Sequence, residues 1–129
     1  MDKFLKNIDD AEKHSIAIDF DGVIHRNSKG FHTGLIYDKV IEGSKDSLEI
    51  LSKKYTLIIY TCKANPDRPL VDGKTGTELV EEWLDQKERL QYIDRIVWGK
   101  PNAKFYIEDK AIRFENWNQT LSDIEKYDQ

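Results

Sequence analysis

The stretch SIAIDFDGVIH, residues 15–25, ends an apolar run with two acids one residue apart, Asp19 and Asp21. Along a strand, residues i and i+2 point to the same face, so both carboxylates share one side while Phe20 points away into a core. Two like charges at that separation repel unless a cation or a proton intervenes. Gly22 follows directly and permits a sharp turn, which leaves both acids at a strand exit. The pattern fits acids that do chemistry or hold a metal.

Three further apolar runs read as strands: YTLIIYT at 55–61, RIVW at 95–98 and KFYIED at 104–109. Each is almost continuously apolar, which suits a sheet covered on both faces. Helical patterns lie between them. Ser44 is placed to cap a helix running to about Lys53, with Leu48 and Leu51 inward. TGTELVEEWLDQKERL, residues 75–90, starts with a Thr75/Glu78 capping box and puts Leu79, Trp83 and Leu90 on one face. NWNQTLSDIEKY, residues 116–127, repeats Trp117, Leu121 and Ile124 at helical spacing, and the first thirteen residues form a weaker helix pattern. Alternating strands and helices predict parallel βαβ units with right-handed crossovers in a single domain, 1–129.

The composition narrows the function classes. A chain of 129 residues with 39% hydrophobic residues can bury one core. A net charge of −4 gives no broad basic footprint, which argues against a dedicated nucleic-acid binder. Cys62 is the only cysteine, so no intrachain disulfide or cysteine zinc cluster forms, as suits a reducing compartment. The start, MDKFLKNIDDAEK, lacks the apolar centre of a signal peptide, and no run approaches the ~20 apolar residues that cross a bilayer. A cytoplasmic protein without membrane contact is the expectation.

In parallel α/β sheets, function gathers at the carboxyl ends of the strands. Strand one ends in Asp19 and Asp21, strand two in Thr61 and strand four in Glu108 and Asp109, while Lys100 opens the loop after strand three. Together these offer a nucleophilic carboxylate, a second carboxyl, a hydroxyl, a cation and a further metal ligand, a set suited to phosphoryl transfer. Magnesium prefers oxygen ligands and keeps several waters, so two side chains and one carbonyl suffice, with Asp19 and Asp109 the natural side-chain ligands. Lys100 and the ion would offset the charge of an approaching phosphate, and the hydroxyl and amide of Thr61 would hold its oxygens.

The order DFDGV, IIYT, GKP, IED resembles the four signature motifs of the haloacid dehalogenase superfamily over residues 15–113. The resemblance implies a three-layer Rossmannoid α/β fold with strand order 3-2-1-4 and helices on both faces. It implies Asp19 as nucleophile, Asp21 as general acid/base whose carbonyl also binds magnesium, Thr61 and Lys100 as phosphate-binding groups and Asp109 as metal ligand. Relatives that hydrolyse phosphate esters carry Asp two residues after the nucleophile, so Asp21 points to a magnesium-dependent phosphatase working through an aspartyl-phosphate on Asp19. Glu108 departs from the Asp common at its position and is expected to support the site by holding Lys100. Neither long gap between motifs can hold an extra domain of the usual size. The chain therefore resembles members without a cap domain, with a short flap around HRNSKGFHTG, residues 25–34, that would carry His25, Arg26 and His32. Such an open site would admit a small phosphoester or a macromolecule's phosphorylated end, or be closed by a neighbouring subunit in a homo-oligomer.

Several residues have plainer readings. Lys63, next to the Thr61 motif, reads equally as a phosphate contact and as a solvated charge. Cys62 has no histidine placed beside it and reads as an inert small residue. DGKTGT, residues 72–77, lacks the first glycine of a phosphate-binding loop, having Arg68 there, and reads as a loop and helix cap. The competing functions are a nucleic-acid end-processing phosphatase, a phosphoaspartate receiver and a non-catalytic binding module. Asp21 opposes the receiver, since a positioned acid/base hastens loss of a phosphoryl group that a signalling domain must keep.

Overall fold

The computed structural model describes residues 13–30 and 34–128. Residues 1–12 of the N-terminal helix pattern and His32 lie outside the described residues. The strands are β1 (Ser15–Asp19), β2 (Thr56–Tyr60), β3 (Arg95–Val97) and β4 (Phe105–Ile107), and the helices are α1 (Ser44–Ser52), α2 (Gly76–Gln86) and α3 (Trp117–Tyr127). The four strands form one parallel sheet in the order β3-β2-β1-β4. This is the α/β architecture and strand order expected, with strands one to three residues shorter than their apolar runs.

β1 is central. It pairs with β2 from Ser15↔Thr56 to Asp19↔Tyr60 and with β4 from Ile16↔Phe105 to Ile18↔Ile107. Ile16 and Ile18 therefore share a face with Leu57 and Ile59, all four buried. The path β1–α1–β2–α2–β3 moves steadily to one side, and right-handed crossovers then place both helices on the same face. Leu48 of α1 and Val80, Trp83 and Leu84 of α2 accordingly join those strand residues, Phe20 and Ile24 in one core cluster. Each such side chain contributes ~1.5–3 kcal/mol when fully buried.

The second sheet face carries Ala17 and Ile58, both fully buried, with Tyr106 in register beside Ala17. The chain returns from β3 to β4 through Trp98–Lys104, tied here by a 2.8 Å hydrogen bond from the Tyr106 hydroxyl to the Pro101 carbonyl. This extended connection meets the second face at Tyr106, while α1 and α2 pack on the first. The helix at the C-terminus forms as its spacing predicts, with the Asn116 side chain accepting from the Gln119 amide as N-cap. Its stripe stays exposed, with Trp117 at 70%, Leu121 at 62% and Ile124 at 48%.

Two helix readings need correction. α1 starts at Ser44, but the N-cap is Gly43 in a left-handed conformation at φ 86°, and the Ser44 hydroxyl instead accepts from Arg89 Nε at 2.9 Å. α2 has its Thr75/Glu78 capping box, with bonds of 3.1 and 3.0 Å, but it ends at Gln86 where Glu88 turns to positive φ. Its buried face is Val80, Trp83 and Leu84. Leu79 is half-buried, and Leu90 packs on the core rim from a 3-10 turn beyond the helix.

Candidate active site

Asp19 is the last residue of β1, and desolvation there pushes its pKa up to about 6. The Phe20 amide lowers it, while the charges of Asp109, Asp21 and Glu108 add to the rise. Four carboxylates converge, and the central one bears the cost.

Asp21 lies just past the strand, and both its oxygens are held. Lys63 Nζ is 2.6 Å from Oδ2, and His25 Nδ1 is 2.8 Å from Oδ1. The His25 Nε2 accepts from the Asp38 amide at 3.0 Å, so the proton sits on Nδ1 and is donated to Asp21. Burial raises the Asp21 pKa, but these two donors and the positive charge of Lys63 outweigh it and hold the carboxyl below its ordinary value. His25 is fully buried, stacked on Phe20 and edge-on to Trp83 and Tyr37, so it belongs to the core and not to a flap. Lys63 is buried at 7% exposure, so it is not a solvated charge, and it contacts Asp21 on the wall of the same cavity.

Lys63 is fixed from behind. It lies in a 3-10 turn, Cys62–Ala64, and a Cβ on Gly76 would stand 1.5 Å from the Lys63 carbonyl. Only glycine lets the start of α2 press this close. Thr61 caps the same turn, its hydroxyl oxygen accepting from the Lys63 amide at 3.2 Å. The hydroxyl proton stays available to a ligand, but the Thr61 amide donates to Val97 at 3.0 Å and is not free to bind a phosphate.

Glu108 receives Lys100 Nζ at 2.8 Å on the oxygen that also accepts the Tyr60 hydroxyl. Lys100 first and Tyr60 second hold the Glu108 pKa below its ordinary value, and burial at the sheet, with the Glu108 bond, raises that of Tyr60. The anticipated contact between Glu108 and Lys100 is present. Lys100 itself stays half-exposed, over the Tyr106 ring at 4.4 Å and behind Glu108, rather than on the pocket wall. Asp109 lies against Gly22: a Cβ there would stand 2.1 Å from Asp109 Oδ2, and Gly22 has φ 85°. The glycine thus provides both the turn and the room for the carboxylate.

These groups line one cavity of about 770 Å³ at the carboxyl ends of the strands, with Asp19, Asp21, Thr61, Lys63, Glu108 and Asp109 on its wall. Arg26, Asn27, Asn65, Arg68, Cys62 and Lys110 complete much of the rest. Asn65 and Lys110 gave no signal in the sequence beyond their position in loops that follow β2 and β4. No three His, Cys, Asp or Glu side chains form a ready-made metal cluster among the described residues. A magnesium ion that keeps most of its waters needs less, and Asp19 and Asp109 with a backbone carbonyl offer the hard oxygen donors it prefers. The excess of negative charge around Asp19 fits a cation.

No known protein family, curated protein or solved structure matches the chain. No helix among the described residues is long and apolar enough to cross a membrane.

Proposed function

We propose that the protein is a magnesium-dependent phosphomonoester hydrolase that works through an aspartyl-phosphate on Asp19. The observation that carries this reading is the convergence of Asp19, Asp21, Thr61 and Asp109 on one cavity at the strand exits, with β1 central. Magnesium, held by Asp19, Asp109 and the Asp21 carbonyl, would supply charge neutralisation for the phosphoryl group. An Asp19 oxygen attacks phosphorus, the P–O ester bond breaks, and Asp21 gives a proton to the leaving oxygen. Asp21 is ionised in the free protein, so that proton enters with the substrate as the acidic proton of a phosphate monoanion. Asp21 then takes a proton from water, which attacks phosphorus and releases inorganic phosphate and Asp19. The Thr61 hydroxyl donates to the phosphoryl oxygens throughout. His25 and Lys63 hold Asp21 in place for both steps.

The test is turnover of an aryl phosphate with magnesium, lost in Asp19→Asn, with an acid-stable, hydroxylamine-labile phosphoryl group trapped on the native chain. Absence of turnover across a broad panel of phosphoesters would overturn the reading. Persistent phosphorylation of Asp19 without turnover would instead favour a phosphoaspartate receiver.

A further inference from the structure

The lysines nearest the chemistry are already engaged: Lys63 pairs with Asp21 and Lys100 with Glu108. Two other cations on the same cavity are not. Arg26 and Lys110 are exposed and have no carboxylate partner among the described residues. Arg26 sits on the loop after β1, its amide fixed to the Lys39 carbonyl at 2.9 Å, and Lys110 on the loop after the neighbouring strand β4. Arg68 lines the cavity from the loop after β2, on the other side of β1. Cations thus stand on all three loops around the phosphoryl position.

The cavity is also too large for a phosphoryl group alone. Its 770 Å³ falls in the range of ~300–1,000 Å³ that holds a small organic ligand. Asn27 and Asn65 add neutral polar groups to the wall. Arg26 and Lys110, without a carboxylate partner among the described residues, do little for folding beside four carboxylates, but they complement an anion held away from the acids.

Building on the phosphatase reading, we propose that the substrate is a small phosphomonoester carrying a second anionic group, a phosphate or a carboxylate, bound by Arg26 with Lys110 and Arg68 on the flanking loops. The size of the cavity and the chain's net charge of −4 favour a small molecule over a nucleic-acid end.

The experiment compares kcat/KM with magnesium for an aryl phosphate and for paired esters that differ only in the second anion. Suitable pairs are a hexose monophosphate against its bisphosphate and glycerol phosphate against phosphoglycerate, with a 5′-phosphorylated oligonucleotide as a further arm. A preference of about tenfold or more for at least one doubly anionic ester is expected, as one or two charge-assisted hydrogen bonds give. Arg26→Gln and Lys110→Gln should each shrink that ratio, through KM rather than kcat, and Arg26→Lys should restore part of it. Aryl phosphate turnover with equal use of both members of every pair would overturn this inference alone. So would a ratio that neither glutamine variant changes, or a preference for the oligonucleotide that collapses with salt. No turnover of any ester would overturn the phosphatase reading and the inference with it.

Discussion

Replacing Asp19 by Asn should make the metal-free protein more stable at neutral pH. The carboxyl has its pKa raised from 3.8 to about 6, mainly by desolvation. Because the folded state binds the proton more tightly than the unfolded one, stability falls as pH rises from about 4 to about 6 and stays reduced above that. Two pKa units correspond to ~3 kcal/mol in full, and solvent screening of a carboxyl that is half open to water brings this to ~1 kcal/mol. For a chain of this length that is a rise of ~3–5 °C in Tm. Asn keeps an oxygen to accept from the Phe20 amide while losing the charge. Thermal melts in EDTA should therefore show Asp19→Asn above the native protein at pH 7.5 and level with it at pH 4. Millimolar magnesium should then raise the native Tm and leave the variant's nearly unchanged. A variant no more stable than the native protein at pH 7.5, or an advantage that does not vary with pH, would refute the account of a carboxylate held against its charge.

Gly22→Ala should cost ~2 kcal/mol or more in urea unfolding, since the new methyl meets the Asp109 carboxylate and the residue has positive φ; it should also abolish stabilisation by magnesium. His25→Phe should lose ~2–4 kcal/mol despite similar size, because it strands an Asp21 oxygen and the Asp38 amide inside the fold; a loss below 1 kcal/mol would deny the histidine its bridging role. Thr75→Ala should cost ~1 kcal/mol through the capping box, read by chemical denaturation, with kcat unaffected.

The sheet was legible because its signals are local and redundant. Four almost continuously apolar runs separated by helical patterns point to parallel strands, and the handedness of crossovers leaves few orders. Asp19, Asp21, Thr61 and Asp109 were legible for a related reason: a polar residue at the end of an apolar strand falls at the carboxyl edge, where sites form. What the sequence hid depends on side-chain direction and distant partners. His25 looked like a flap residue because histidine is polar, yet its two nitrogens are satisfied by Asp21 and by an amide thirteen residues on, which makes its burial inexpensive. Lys63 reads equally as a phosphate contact and as a solvated charge because the sequence shows neither its burial nor the close approach of α2 to its backbone at Gly76. The inner face of α2 is hidden because the apolar spacing in the sequence continues to Leu90, four residues beyond where the helix stops. The Thr61 amide, which its place at a strand end offers to a ligand, is used by the ladder to β3.

The position of β1 has a consequence for how the chain is made. β1 is synthesised first but is flanked on one side by β4, about 90 residues later, so an apolar strand waits with one edge unpaired while the ribosome adds the rest at roughly 5–20 residues per second. Nucleation must rest on contacts of long sequence separation, which slows folding. Because Asp109 follows directly on β4, no product that stops short of residue 109 can assemble the complete set of acids, and the nascent chain gains its site only once β4 has been made.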